Sequence, residues 1–270
     1  MATGPGARAV GRPPGVPLRL VVLPTEHGSW SFLAEPVLLG MLVAFSWPGV
    51  LVAAGAVAAF LARQPLRLWA GDLRRGRTYP RTSLAGAAFA IFGTASVAAL
   101  ATAWWMTNGS FWPALAGAAP LAAVAMWFDI GKRSREMVAE LAGAVALGAL
   151  ASAIALAGGM RLEMAMMLWA VLALRTVPTI LFVRARLRLE RGQRARLGPP
   201  LVAHVVAVAA ITVIVYGGFA PRFATWAMVL LALRAALGLS PLRPRWKTWQ
   251  LGVSEVAFGL VTVACVAWGR

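Results

Sequence analysis

Nine stretches of this chain, near 26–46, 48–70, 82–106, 112–129, 136–159, 163–184, 199–217, 222–241 and 247–268, are mainly apolar and close to bilayer-spanning length. About 20 such residues carry an α-helix across a hydrocarbon core of about 30 Å. Lipid offers no partner for backbone N–H and C=O groups, so a chain with this pattern satisfies them inside its own helices. The expected fold is all-α, a polytopic transmembrane helical bundle of about nine helices. Residues 24–270 form a single transmembrane domain, and residues 1–23, rich in Gly, Pro and Arg, are expected to be a disordered basic cytoplasmic tail.

Composition decides between this reading and the one the net charge of +17 invites. A basic chain can be a nucleic-acid binder. Here, however, 60% of the residues are hydrophobic and only 13% charged, against about 25% charged in soluble domains. The basic residues are short islands between apolar runs, so no nucleic-acid partner is expected.

The islands also orient the bundle, because Lys and Arg in short loops mark the cytoplasmic side. Arg8, Arg12 and Arg19 precede the first span. Arg63, Arg67, Arg74, Arg75, Arg77 and Arg81 lie around the second loop, and Lys132, Arg133 and Arg135 in the fourth. Arg184, Arg186, Arg188, Arg191, Arg194 and Arg196 crowd the sixth, and Arg243, Arg245 and Lys247 the eighth. Only Arg161, Arg222 and Arg270 fall on the opposite side, while Arg175 and Arg234 fall inside spans. This alternation predicts a cytoplasmic N-terminus and an outside C-terminus.

Tryptophan is distributed accordingly, since indoles favour the two water–lipid interfaces. Trp30, Trp69, Trp127, Trp246 and Trp249 fall near inner ends, and Trp47, Trp104, Trp105, Trp112, Trp226 and Trp268 near outer ends; Trp169 is deeper. In the fifth span Ala139, Gly143, Ala144, Gly148 and Ser152 are spaced for close helix packing. Pro36, Pro120 and Pro178 lie inside spans, where each removes a backbone hydrogen bond. The single Cys265 permits neither an intramolecular disulfide nor a cysteine metal cluster.

Ionisable residues inside spans are expensive and usually face a partner in the protein interior. Glu35, Arg175 and Glu255 each fall roughly 12–15 Å from the cytoplasmic face at 1.5 Å per residue, and either carboxylate could pair with Arg175. Such a pair could fix helix packing or floor a polar cavity open to the cytoplasm. Arg234 is shallower and could snorkel. His27, Ser31 and Glu35 recur every fourth residue and share one helix face. His204 has no acidic cluster beside it, and a transition-metal site is not expected.

No P-loop, dinucleotide-binding glycine motif, HExxH or GxSxG occurs. The stretch Pro24-Thr25-Glu26-His27-Gly28-Ser29-Trp30, running into Glu35-Pro36 and Leu39-Gly40, resembles the opening of the YwiC-like family of bacterial multi-pass membrane proteins. That resemblance implies a bacterial cytoplasmic (inner) membrane location and brings little mechanism. A more distant resemblance is to the UbiA-type intramembrane prenyltransferases, which have nine helices with the N-terminus inside. Their two Asp-rich motifs, at the inner ends of the second and sixth helices, bind Mg²⁺ and through it a prenyl diphosphate. The corresponding stretches here, 63–77 and 174–192, each contain one carboxylate, Asp72 and Glu190, among Gln64, Arg67, Arg175 and Arg184. Asp129-Ile130-Gly131-Lys132-Arg133, before Glu136 and Glu140, is similar to a turn that opens the fifth helix of those enzymes.

Hard divalent cations need several convergent oxygen ligands, so no cofactor is expected, and Mg²⁺ would enter only if the protein were a divergent prenyltransferase. Arginine can hold phosphate directly with its planar fork. The expected function is therefore binding of an anionic or isoprenoid lipid in an intramembrane cavity facing the cytoplasm, with His27, Glu35, Arg63, Gln64, Arg67, Asp72, Asp129, Lys132, Arg133, Arg175 and Glu255 as candidate lining residues. Membrane lipids are the expected partners. The alternatives are a UbiA-like prenyltransferase and a small-molecule transporter, for which inverted repeats are not visible.

Overall fold

The computed structural model describes residues 18–23, 29–131 and 133–268, and all regular secondary structure among them is α-helical. The helices are α1 (Leu18–Val22), α2 (Ser29–Val43), α3 (Trp47–Arg74), α4 (Pro80–Thr107), α5 (Trp112–Ile130), α6 (Met137–Ala157), α7 (Leu162–Glu190), α8 (Gly198–Tyr216), α9 (Arg222–Leu239) and α10 (Thr248–Trp268). Helices α3 to α10 are each long and apolar enough to cross a membrane, and α2 is a shorter apolar helix. The protein is thus a multi-pass helical membrane bundle with eight candidate spans among the described residues, and the first of the nine expected spans corresponds to α2, whose 15 residues are fewer than a crossing needs.

Two boundaries differ from the sequence reading for identifiable reasons. Leu18–Val22, placed in the tail, forms a short helix that packs against α3 and α4. Its apolar Val21 is buried there. The sixth span continues past residue 184 to Glu190, so Arg184, Arg186 and Arg188 are helical and do not belong to a loop. The tight connection at Ser46-Trp47-Pro48 is a capped helix start: the Ser46 hydroxyl accepts a hydrogen bond from the Gly49 amide at 3.0 Å, and Pro48 lies in the first turn, where its missing N–H costs nothing. Pro36, Pro120 and Pro178 sit within continuous helices.

Helix α6 is the hub. It packs on α2, α3, α5 and α7, and its second half, Gly148 to Ala157, is buried throughout. Small side chains make this possible. A β-carbon on Gly40 would lie 2.8 Å from Ile154 Cβ, and one on Gly148 would lie 3.3 Å from Trp169 Cδ1. Polar side chains then bind neighbouring helices through backbone carbonyls: Ser152 donates to Ala165 O at 2.6 Å, Ser110 to Leu156 O at 3.0 Å and Trp169 Nε1 to Val145 O at 2.7 Å. Trp169 is therefore a packing residue. Most other tryptophans project outward, among them Trp105 at 83% exposed and Trp127 at 76%, as interface anchors do.

On the other side of α6 the helices close a ring. Helix α2 packs on α6 and α10, α10 on α9, α9 on α7, and α7 on α6. Helices α3 to α5 flank one side and α8 lies against α7 and α9.

Candidate functional site

Four charged side chains from four members of that ring form a network. Arg175 of α7, 1% exposed, meets Glu35 of α2 with Nη1 at 2.6 Å from Oε2. Its Nη2 donates to the backbone carbonyl of Glu255 on α10 at 3.1 Å. The Glu255 carboxylate accepts from Arg234 Nη1 of α9 through both oxygens, at 2.6 and 2.5 Å. The Arg234 guanidinium also lies 4.2 Å from the Phe182 ring centroid and 5.0 Å from that of Phe258, a favourable cation–π setting. Two cations and two anions cancel. That balance lets four charges be buried together where any single one would cost several kcal/mol.

The choice left open at Arg175 is resolved in favour of Glu35 for the ion pair, with Glu255 contributing its carbonyl. The expectation for Arg234 is corrected: it does not snorkel, because the Glu255 carboxylate and two aromatic faces hold it inside, with its side chain 10% exposed. Gly259 of α10 creates the space. A β-carbon there would lie 2.6 Å from Glu35 Cδ and 2.8 Å from Arg175 Nη2, and would also strike Glu35 Oε1.

A second cluster lies toward the arginine-rich end. Asp129, at the end of α5, is 5% exposed and receives Arg63 Nε of α3 at 3.0 Å, while Arg67 Nη1 stands 3.6 Å from its other oxygen. Arg67 Nη2 donates to Gln64 Oε1 at 2.9 Å. Arg63 and Arg67 are one helical turn apart and their side chains stay 42% and 44% exposed. Helices α2 and α3 run antiparallel and are level where Trp30 meets Phe60, with ring centroids 5.1 Å apart. Glu35 lies five residues beyond that level in one direction and Arg63 three in the other, a separation of about 12 Å along the axis.

The proposed lining residues therefore divide and do not converge on one site. Glu35, Arg175 and Glu255 belong to the central network, and Arg63, Gln64, Arg67 and Asp129 to the arginine-rich end. Asp72 belongs to neither. Its buried carboxylate accepts from Arg81 Nη2 at 3.1 Å and Thr82 Oγ1 at 2.9 Å, which ties the α3–α4 turn. Arg133 makes a local pair with Glu136 that holds its guanidinium above the ordinary range. Glu190 pairs with Arg186 at 2.8 Å. His27 and Lys132 lie outside the described residues. Among the described residues no group of three or more His, Cys, Asp or Glu side chains could hold a metal ion.

Arg186 is the residue sequence reasoning misplaced. Counted among loop arginines, it is 2% exposed and donates to the carbonyls of Gly238 and Pro244. Its position eleven residues after Arg175, three helical turns, is the signal that puts both on one face of α7.

Residues 23–155 match the family model described as YwiC-like protein. The matched region, just under half of the chain, runs from before α2 to the last turn of α6 and includes Glu35, the Arg63–Arg67–Asp129 cluster and Asp72. Arg175, Arg234 and Glu255 lie beyond it. No curated protein and no solved structure matches the chain.

Proposed function

We propose that the chain is a YwiC-like integral membrane protein along its whole length, seated in a bacterial cytoplasmic membrane with its N-terminus inside, and that it binds the anionic head group of a lipid, isoprenoid phosphates included, at the inner ends of α3 and α5. The observation that carries this reading is the pair Arg63 and Arg67. Asp129 orients both guanidiniums from below, yet they remain more than two-fifths exposed, and the trio keeps one net positive charge. Oriented, partly solvated guanidiniums at a membrane interface suit a phosphate, which accepts paired N–H bonds and neutralises the excess charge.

The test uses full-length protein in vesicles of phosphatidylcholine doped with phosphatidylglycerol or farnesyl phosphate, followed by native mass spectrometry of the extracted protein. A variant carrying Arg63→Gln, Arg67→Gln and Asp129→Asn removes the site without stranding a buried charge. Retention of the anionic lipid is expected to fall at least about tenfold, the effect of losing charge-assisted bonds of 1.5 kcal/mol or more. Equal retention by the variant and the native protein would refute the assignment.

A further inference from the structure

Helices α4 and α5 follow one another through only four residues, 108–111, yet among the described residues they do not pack along their lengths: α4 lies on α3 and α1, and α5 on α6. They meet at their connecting turn. There the Trp104 ring centroid stands 6.2 Å from that of Phe111 and 5.9 Å from that of Trp112. Val52 of α3, Ala103 of α4, Phe111 of the turn and Ala114 of α5 belong to one cluster, each no more than 2% exposed, so the space between α4 and α5 is sealed at this end. Toward the other end it opens. Ala59 lies seven residues after Val52 on the same face of α3 and is exposed, as is Arg63 one turn further on. On α5, Ala122 lies midway between Leu115, which packs against the Phe60–Leu150 cluster, and Asp129, which receives Arg63; it too is exposed. Val97 of α4, seven residues before Trp104 and so on its face, is 68% exposed. A fissure open to lipid therefore runs between α4 and α5, floored by α3 at Ala59, from the aromatic seal to the Arg63–Arg67–Asp129 cluster.

We infer that this fissure holds the acyl chain of an anionic phospholipid whose phosphate sits on Arg63 and Arg67, an inference that rests on the head-group reading above. Its length decides the occupant. The eleven residues from Val52 to Arg63 span about 16 Å. One leaflet's share of the hydrocarbon core is about 15 Å, a depth that an acyl chain fills and a long polyprenyl chain overruns. Within lipid, hiding apolar surface from water brings no gain, so a chain is retained by close contact and by its tether. Ala59 and Ala122 supply the contact, since a methyl side chain lets a methylene chain lie close to the helix backbone. The arginines supply the tether, and the site thereby selects a lipid by head group and chain together.

The test places full-length protein in phosphatidylcholine vesicles doped with a phosphatidylglycerol whose hexadecanoyl chain carries a mid-chain diazirine; after irradiation, labelled residues are mapped by mass spectrometry. Adducts are expected to concentrate around Ala59, Val97 and Ala122 and to be suppressed by excess unlabelled phosphatidylglycerol. Ala59→Phe fills the floor and is expected to lower this labelling at least about fivefold, the smaller end of an overpacking cost. Ala122→Phe, from the α5 wall, is expected to do the same. Ala54→Phe, exposed on another face of α3, is the control and should leave labelling unchanged. Adducts spread evenly over the lipid-facing helices, or unchanged in both fissure variants, overturn the fissure. The triple variant Arg63→Gln, Arg67→Gln, Asp129→Asn separates the two readings. Labelling lost there but kept in the Phe variants leaves the head-group site standing without the fissure, and the converse leaves the fissure without its tether. Stronger displacement of the probe by farnesyl phosphate than by phosphatidylglycerol overturns the acyl assignment in favour of an isoprenoid chain.

Discussion

Gly259 shows how a single hydrogen in place of a methyl decides whether the central network can form. Glycine there lets α10 approach α2 and α7 closely enough for the Glu255 carbonyl to reach Arg175. Gly259→Ala is expected to lower stability by about 1–3 kcal/mol through overpacking. Gly252→Ala on the same helix, where a β-carbon would meet nothing within 4 Å, serves as the control and is expected to be neutral or slightly stabilising. Thermal unfolding in detergent at fixed lipid content compares the two. The charges were legible as buried from their positions in apolar runs, because the bilayer penalises an unpaired ion heavily. Their pairing was not, since Glu35 and Glu255 lie at similar depth and only the placement of α2 and α10 separates them.

At the scale of elements, α7 is the most heavily used helix. Arg175, Thr179, Phe182 and Arg186 recur at intervals of four, three and four residues and so share a face. The upper part of that face holds the network and the lower part holds the α9–α10 connection, where Arg186 binds the Gly238 and Pro244 carbonyls and lies 6.0 Å from the Trp246 ring centroid. Arg186→Met retains the length and removes the donors, leaving both carbonyls unpaired. The connection is then expected to loosen, with trypsin cutting at Arg245 or Lys247 several-fold faster in detergent-solubilised protein. Unchanged cleavage would show that the loop is held by other contacts. An arginine run reads as topology in sequence because most such residues are solvated; Arg186 departs from that pattern because α9 ends beside it and presents free carbonyls.

For the whole molecule, the basic loops predict an inside N-terminus and an outside C-terminus. Alkaline phosphatase fused after Arg270 is expected to be active in a bacterial host and a fluorescent protein fused there to stay dark. The reverse outcome would place the C-terminus inside and overturn the nine-crossing reading or the orientation read from the basic loops. The sequence by itself determined an all-helical bundle, the places of its long apolar helices, the small-residue seam on α6 and the set of charges that must be buried. These are local or one-dimensional properties: length, hydropathy and spacing register them directly. The tertiary structure alone decided that the lining residues form two clusters offset by about 12 Å along the helix axis and that Arg234 is drawn inward by Glu255. Those outcomes depend on which helices of the ring become neighbours, and contacts such as Arg175 with Glu35 join residues far apart in the chain that spacing within one helix cannot register.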